Sequence, residues 1–158
     1  MSKAHVITVS DGVAAGTRQD RSGDALQTSL RNAGFEVSGP EVVPDGRDRI
    51  ADAITAASNG GADLVVTTGG TGLGPRDVTP QATAGLVDYE VPGLGELMRR
   101  AGAASTPMAA LSRGVAGVRG HTLVVNTPGS VKGATESLEA ILPLLEHAIQ
   151  LLHGDTKH

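Results

Sequence analysis

The stretch TTGGTGLGPRDVTP, residues 67–80, decides the fold class of this chain. A continuous apolar start predicts a buried strand over Leu64–Thr68, which leads into a glycine loop over Gly69–Val78. Thr79 and Pro80 then predict a helix, with the threonine as N-cap and the proline at the first helical position. A strand, a glycine loop and a helix in this order are typical of an α/β protein with a largely parallel sheet.

Away from this stretch, the hydrophobic pattern continues to alternate between strands and helices. The other predicted strands are His5–Ser10 and Phe35–Val43, and a hairpin is predicted from Leu111–Val118 and His121–Val125. The predicted helices run through Leu26–Ala33, over Asp45–Asn59, from Thr79 to about Asp88, from Pro92 onward, and over Val131–Leu152. Gly39-Pro40 places the second strand at a sheet edge, and Pro143 predicts a kink or a split in the last helix. The length of 158 residues predicts a single domain over residues 1–158.

The composition excludes several classes of protein. The net charge is −4, and one Phe, one Tyr and no Trp leave few aromatic rings, so we expect neither a nucleic acid nor a membrane as a partner. The chain has no cysteine, which excludes disulfides and a catalytic thiol. The sequence contains neither a signal-peptide pattern nor an apolar run of about 18 residues, so we expect a cytoplasmic protein.

Three loops follow predicted strands and contain most of the polar and glycine residues near strand ends. They are Ser10–Gly12, Gly69–Asp77 and Asn126–Ser130. In a parallel sheet the carboxyl ends of the strands meet at one edge, and ligands bind just beyond that edge. We therefore expect the three loops to form one binding site.

The central loop is suited to an anion. Backbone amides exposed at the start of a helix, together with the hydroxyls of Thr68 and Thr71, favour phosphate. The loop is not a Walker loop, because no Gly-Lys-Ser/Thr follows, and it lacks the GxGxxG spacing of a dinucleotide site. The alternative is a tight turn whose glycines serve packing, but such a turn needs one or two glycines rather than four. We favour phosphate binding.

Charged residues near these loops each have two interpretations. Asp77, beside Arg76, either holds Mg²⁺ or orients a phosphate, or it belongs to an ordinary solvated ion pair or caps the next helix, a role that Thr79 also fits. Asp45 either takes part in the site or caps the helix that follows it. Ser112 and Arg113 precede a predicted strand and are either a second anion contact or a strand cap. The spacing leaves these alternatives open.

The string at residues 67–80, with Val43–Asp45, Val91–Gly93, Leu111–Arg113 and Asn126–Gly129, resembles the molybdopterin-binding family. Members of that family include the bacterial Mog and MoaB proteins and the G domain of gephyrin. The resemblance covers nearly the whole chain. It implies a three-layer αβα sandwich with a mostly parallel sheet, a homotrimer, and molybdopterin adenylyltransferase activity, which converts Mg-ATP and molybdopterin into adenylylated molybdopterin and pyrophosphate. A downstream metal-insertion protein is the implied partner.

The resemblance also implies which residues form the site. Asp45 and Asp77 match the two aspartates expected to matter for catalysis and, with Mg²⁺ as cofactor, for metal binding. The residues implied to contact molybdopterin or ATP are Ser10, Asp11, Thr68, Gly69, Gly70, Thr71, Gly72, Arg76, Ser112, Asn126, Pro128 and Gly129. The nucleophile of this reaction is the phosphate of molybdopterin itself, so the protein positions two polyanions and neutralises their charge.

Three other functions remain open from the sequence. A pterin-binding or carrier protein would keep the fold without catalysis, although the presence of both Asp45 and Asp77 favours the enzyme. A nucleotide pyrophosphatase resembling the competence-damage protein family would share a related glycine loop, but the Arg76–Pro80 string fits the Mog-like branch better. A scaffold protein, like gephyrin in animals, ranks last because the sequence offers no second domain or linker.

Overall fold

The computed structural model describes residues 1–155, which form a six-stranded sheet with helices on both faces. The strands are β1 (Lys3–Val9), β2 (Glu36–Val43), β3 (Leu64–Thr68), β4 (Tyr89–Glu90), β5 (Ala116–Arg119) and β6 (Thr122–Thr127). The helices are α1 (Asp11–Ala14), α2 (Arg21–Asn32), α3 (Arg47–Asn59), α4 (Thr79–Ala84), α5 (Pro92–Ala103) and α6 (Val131–Leu152), with a 3₁₀ helix at Pro107–Leu111.

The order of strands in the sheet is β2-β1-β3-β6-β5-β4. The first four of these strands are mutually parallel, whereas β5 and β4 pair antiparallel at one edge. The β5–β6 hairpin turns at Gly120, whose φ of 60° is a conformation that glycine adopts without steric cost. The predicted mostly parallel sheet, the hairpin and the position of β2 at an edge are confirmed.

Two apolar layers lie on opposite faces of the sheet. Successive residues of a strand point to opposite faces, so Leu64 and Val66 of β3 belong to one layer and Val65 to the other. The first layer contains buried residues of α2, α5 and α6, and the second those of α3 and α4. The three-layer αβα sandwich is therefore confirmed. Both faces of the central strands are covered, which explains their continuous apolar sequence.

Capping residues fix the helix ends nearest the carboxyl edge of the sheet. The Asp20 carboxylate accepts a hydrogen bond from the Gly23 amide at 2.9 Å and starts α2. The Ser130 hydroxyl accepts one from the Gly133 amide at 3.0 Å and starts α6. At the opposite edge of the sheet, Gly34, with φ of 97°, ends α2 just before β2. These caps fix where two helices begin relative to the loops of the predicted site.

The helix after the glycine loop is shorter than predicted and begins differently. Val78 is its N-cap and Thr79 its first residue, so the prediction that Thr79 is the cap is wrong. The Thr79 hydroxyl donates instead to the Gly69 carbonyl, at 3.0 Å. The helix ends at Ala84 rather than near Asp88, because the chain then turns to pair with β5, where the Asp88 amide donates to a strand carbonyl at 2.7 Å.

Three other predictions need correction. Helix α6 is not split at Pro143, which lies on its exposed side while Ile141 and Leu145 are buried, so packing on the sheet outweighs the local break; the predicted kink stays a prediction. Helix α3 begins at Arg47 with Gly46 as N-cap, so Asp45 does not cap it. In the predicted strand Leu111–Val118, Leu111 is the last residue of the 3₁₀ helix and residues 112–115 have no regular structure, so β5 begins only at Ala116. No helix in residues 1–155 combines the length and apolarity needed to cross a bilayer.

Candidate active site

The three predicted loops meet at the carboxyl edge of the sheet. Parallel pairing places Thr68, at the end of β3, beside Thr127, at the end of β6. The Thr68 hydroxyl donates to the Pro128 carbonyl at 2.7 Å, and the Gly69 amide donates to the Thr127 carbonyl at 3.1 Å. On the other side, the Ser10 amide donates to a β2 carbonyl at 3.0 Å. The convergence expected from the strand order is present.

The glycine loop has a backbone that only glycine permits at its first position. Gly69 has φ of 100°, and a Cβ there would lie 2.2 Å from the Val9 carbonyl oxygen. Within the described part of the chain, the amides of Gly70, Thr71 and Gly72 have no hydrogen-bond partner. Three successive free amides in one loop can bind an anion without competing internal contacts.

Asp11 and Asp45 hold each other through their backbones. The Asp45 carboxylate accepts from the Asp11 amide at 3.0 Å, and the Asp11 carboxylate accepts from the Asp45 amide at 3.0 Å. Arg76 closes the group with hydrogen bonds to both Asp11 oxygens, at 2.6 Å and 3.0 Å, and to the Asp45 carbonyl. A residue at the end of β1, a residue at the end of β2 and the glycine loop are thereby joined.

The two carboxyls of this group differ in their pKa values. The hydrogen bond from Arg76 lowers the pKa of Asp11 below its usual value, and the same contact raises the pKa of Arg76. Burial raises the pKa of Asp45, and the negative charges of Asp11 and Asp77 shift it in the same direction. For Asp45, unlike Asp11, the effect of Arg76 is outweighed by burial and by the neighbouring negative charges.

Asp77 lies beside this group, with its carboxylate turned back onto its own loop. One carboxylate oxygen accepts a hydrogen bond from the Gly74 amide at 2.9 Å. Its charge acts on the pKa of Asp45, so the two carboxylates predicted to be catalytic are electrostatic neighbours. Asp45 and Asp77 are 32 positions apart in the sequence, and the fold brings them near each other.

Asn126 is a buried residue of β6, only 2% exposed. Its amide nitrogen donates to the hydroxyls of Thr67 and Thr83, each at 3.0 Å, and its carbonyl oxygen accepts from the Val115 amide at 3.1 Å. The side chain joins two strands and α4 beneath the loops. This internal bonding makes Asn126 part of the rigid floor of the site.

Two cavities lie on either side of the glycine loop. One of about 500 Å³ runs between the loop, α5, the 3₁₀ helix and the start of α6, and one of about 640 Å³ runs between the loop, β1 and the start of α2. They meet at a shared wall, which consists of Gly70, Asp77, Gly129 and Ser130. The arrangement offers two separate spaces with four lining residues in common.

Most of the predicted contact residues line one of these cavities. Those in the 500 Å³ cavity include Thr71, Gly72, Ser112, Asn126 and Pro128, and those in the 640 Å³ cavity include Ser10, Asp45, Thr68 and Gly69. Asp11 and Arg76 line neither cavity and are bonded to each other instead.

Polar side chains of α5 and α6, which were not predicted from the sequence, also line the 500 Å³ cavity. They include Arg99, Lys132 and Glu136. Arg99 donates to the Gly114 carbonyl at 2.9 Å, and Glu136 accepts from the Ser105 hydroxyl at 2.8 Å. Lys132 and Glu136 lie four residues apart just after the third loop, so their helical spacing was the available signal.

A third cavity of about 520 Å³ lies at the opposite end of the sheet. Its walls include Asp63, Asp88, Arg119, His121 and His153. Asp63 precedes β3 and His121 precedes β6, so this cavity is at the amino ends of the parallel strands. It contains none of the residues predicted for the site, and the carboxyl edge remains the candidate active site.

Asp45 and Asp77 are the two carboxylates predicted to bind a magnesium ion, and both line the 640 Å³ cavity. Mg²⁺ takes one or two carboxylates from a protein and completes its shell with phosphate oxygens and water. Among residues 1–155, no group of three or more His, Cys, Asp or Glu side chains is placed to hold a metal ion. A pair of carboxylates fits a magnesium ion that arrives with a phosphate ligand.

The fold and the site define a class: a three-layer α/β protein with free loop amides and neighbouring carboxylates at the carboxyl edge of a parallel sheet. A family model described as "Probable molybdopterin binding domain" matches residues 5–147. The chain belongs to this molybdopterin-binding family, as its motifs predict.

Similar proteins agree with this assignment. The crystal structure of the molybdopterin biosynthesis enzyme MoaB from Thermus thermophilus is 54% identical, with a TM-score of 0.91 and 98% of both chains covered. The molybdopterin adenylyltransferase of Helicobacter pylori J99 is 39% identical over 156 residues, which cover 95% of this chain and 87% of that protein.

A longer relative is similar over part of its length. The molybdenum cofactor biosynthesis bifunctional protein of Chlorobaculum tepidum is 40% identical over 150 residues, which cover 95% of this chain and 48% of that protein. The chain thus spans about half the length of this bifunctional relative.

Proposed function

We propose that this chain is a molybdopterin adenylyltransferase, which transfers AMP from Mg-ATP to the terminal phosphate of molybdopterin and releases pyrophosphate. The observation that carries the proposal is the junction of the two cavities at Gly70, Asp77, Gly129 and Ser130. Two substrates that react with each other need adjoining spaces that meet where the new bond forms. Family membership and relatives named molybdopterin adenylyltransferase support the choice of substrates.

The proposed reaction needs no protein nucleophile. An oxygen of the molybdopterin phosphate attacks the α-phosphorus of ATP, the bond from that phosphorus to the oxygen bridging to the β-phosphorus breaks, and pyrophosphate leaves. Both substrates are polyanions, so the protein contributes alignment and charge stabilisation. We assign phosphate binding at the junction to the free amides of Gly70, Thr71 and Gly72.

We assign the binding of Mg²⁺ to Asp45 and Asp77. A bound magnesium ion neutralises charge on the phosphates, which otherwise repel each other and the two carboxylates. The raised pKa of Asp45 supports this assignment, because burial and neighbouring negative charge disfavour its ionised form and a cation would relieve both. Asp11 and Arg76 hold the loops in place at the rim and remain proposed substrate contacts.

The test is a transfer assay with purified protein, molybdopterin, ATP and Mg²⁺, in which adenylylated molybdopterin is measured. Asp45→Asn and Asp77→Asn are compared with Asp52→Asn, a control that removes an exposed carboxylate of α3 outside both cavities. We expect a loss of rate of about 100-fold or more in the first two variants and none in the control.

Two results would overturn the proposal in different ways. Molybdopterin that binds without forming product would make the chain a pterin-binding carrier. ATP cleavage at the same rate with and without molybdopterin would make it a nucleotide pyrophosphatase.

We further propose a homotrimer that acts in the cytoplasm and passes its product to a metal-insertion protein. The family resemblance supports the trimer, and the reactive adenylylated product supports a downstream enzyme that consumes it. Light scattering during size-exclusion chromatography should give three times the chain mass of 15.9 kDa. The mass of a single chain would contradict the trimer without affecting the proposed reaction.

A further inference from the structure

Arg113 contacts the glycine loop rather than the space inside the cavities. Its Nε donates to the Gly72 carbonyl at 2.8 Å, and its Nη2 donates to the Asp77 carbonyl at 2.7 Å. Its backbone amide donates to the Thr71 carbonyl at 2.9 Å. Arg113 is absent from the walls of both cavities of the described chain. One residue thus holds three carbonyls of the loop from the side away from the ligand space.

Besides Arg113, the segment between these carbonyls is held by the Arg76 side chain, which bonds to Asp11 and Asp45, and by hydrogen bonds between Gly74 and Asp77. Gly72–Asp77 contains two glycines and no regular secondary structure, and Leu73 in its middle is 68% exposed. The Asp77 carboxylate is bonded to the Gly74 amide, so its position follows that of the same segment. A displacement of the Gly72 or Asp77 carbonyl would therefore move the carboxylate that we place at the cavity junction.

Every nitrogen of the Arg113 guanidinium takes part in a hydrogen bond to this region of the protein. Its third nitrogen, Nη1, donates to the Gln81 side chain on α4 at 3.3 Å, so all three guanidinium nitrogens bond to the loop or to the helix after it. Sequence analysis predicted that Arg113 is either an anion contact or a strand cap. Its side-chain hydrogen bonds to the loop and to α4 correspond to neither role. Lysine could not reproduce them, because its donors lie on one nitrogen while the acceptors are spread around a plane.

We propose that Arg113 is a positioning residue for adenylyl transfer, whose planar guanidinium fixes the glycine loop so that the Asp77 carboxylate and the Thr71 and Gly72 amides face the reacting phosphates. The proposal rests on the function proposed above. A positioning role differs from a direct contact with substrate, because a positive charge at residue 113 without the guanidinium geometry would not hold the loop.

The experiment compares Arg113→Ala and Arg113→Lys with Arg119→Ala. Arg119 is a matched control because its guanidinium also donates to a backbone carbonyl, that of Leu86 at 3.2 Å, but at the far end of the sheet. We expect kcat to fall by about 10- to 100-fold in both Arg113 variants, with KM for ATP and molybdopterin changed by less than about threefold. Arg119→Ala should keep the kcat of the unsubstituted protein.

Added guanidinium ion should restore part of the kcat of Arg113→Ala and none of the loss in Asp77→Asn. Hydrogen exchange should become faster at the hydrogen-bonded loop amides of Gly74 and Asp77 in Arg113→Ala and Arg113→Lys, but not in Arg119→Ala. Arg113→Lys with unchanged kcat, or a rise in KM at constant kcat, would overturn the proposal, since either indicates a charge contact with substrate.

The exchange measurement separates this proposal from the function on which it rests. An unsubstituted protein without transferase activity would end the proposed function. Unchanged exchange at the Gly74 and Asp77 amides in both Arg113 variants would end the proposal for Arg113, whatever the activity.

Discussion

At the residue scale, Asp11 and Asp45 have nearly symmetrical hydrogen bonds but opposite electrostatics. Each carboxylate accepts from the other's backbone amide at 3.0 Å. Only Asp11 also receives the guanidinium of Arg76, which lowers its pKa, whereas burial raises the pKa of Asp45. The contributions of these two aspartates to the free energy of unfolding should therefore change with pH in opposite directions.

The stability of Asp45→Asn relative to the unsubstituted protein should increase as the pH rises. A carboxyl whose pKa is higher in the folded state binds more protons there, so its contribution to stability falls as pH rises through that pKa. Asparagine does not titrate and avoids this loss. Urea unfolding at a series of values between about pH 3 and pH 7 measures the difference.

Asp11→Asn is the control of opposite sign. A lowered pKa stabilises the fold above the unfolded value of about 3.8, and that contribution disappears as pH falls through the lower folded value. The substitution should therefore be more destabilising at neutral than at acid pH. Parallel pH curves for the two variants would contradict the pKa directions of this pair.

Gly69→Ala should be strongly destabilising, with a loss of about 3 kcal/mol or more in the free energy of unfolding. The added Cβ combines a positive φ with an approach of 2.2 Å to the Val9 carbonyl. Gly16→Ala is the control, because Gly16 has φ of 77° but no atom within 4 Å of an added Cβ. It should lose only about 1–2 kcal/mol. Equal losses in urea unfolding would show that the contact with β1 contributes nothing.

At the element scale, sequence pattern predicted the central strands and the long helices because burial alone determines them. β3 is apolar on both faces and was predicted at its observed bounds, Leu64–Thr68. Short elements were missed: α1 has four residues and β4 has two. β4 forms by pairing with β5, and the first residue of α1 is bonded to Asp45 beyond β2. Hydrophobic periodicity has no signal over so few residues.

Pro143→Ala should raise the free energy of unfolding by about 1–3 kcal/mol. The residue is exposed inside an unbroken helix, so alanine restores a backbone donor and removes no buried contact. Leu144→Ala, at the neighbouring exposed position, is the control and should change stability by less than about 0.5 kcal/mol. A Pro143→Ala variant that unfolds at a lower temperature than the unsubstituted protein would mean that this proline fits a bend that the sheet requires.

At the scale of the whole molecule, the topology makes the site more predictable than its individual contacts. The sequence could place three loops at one sheet edge, because parallel strands carry their carboxyl ends to the same side. It could not predict that Arg76 bonds to Asp11, or that Asn126 faces inward to Thr67 and Thr83, since those contacts depend on how the loops pack. The glycines and aspartates of the site could be predicted because each belongs to a short motif within one loop. The hydrogen-bond partners of the Asp11 and Asn126 side chains could not, because those partners come from other parts of the chain.

The two cavities should bind their ligands together and not in competition. A non-hydrolysable ATP analogue with Mg²⁺ and molybdopterin should each raise the unfolding temperature, and the two together should raise it further. Each ligand at 100 times its Kd contributes about 2.7 kcal/mol when it binds only the folded state. If the second ligand added nothing at saturation of the first, both would occupy one cavity.

The most direct measurement of the central claim follows the α-phosphorus of ATP. Purified protein is incubated with Mg²⁺ and ATP labelled at the α-phosphorus, with and without molybdopterin. We predict that the label enters the pterin product, that pyrophosphate is released in equal amount, and that neither occurs without molybdopterin or in Asp77→Asn. Label that appears as free AMP regardless of molybdopterin, or that stays in ATP while molybdopterin is bound, would contradict the assignment as an adenylyltransferase.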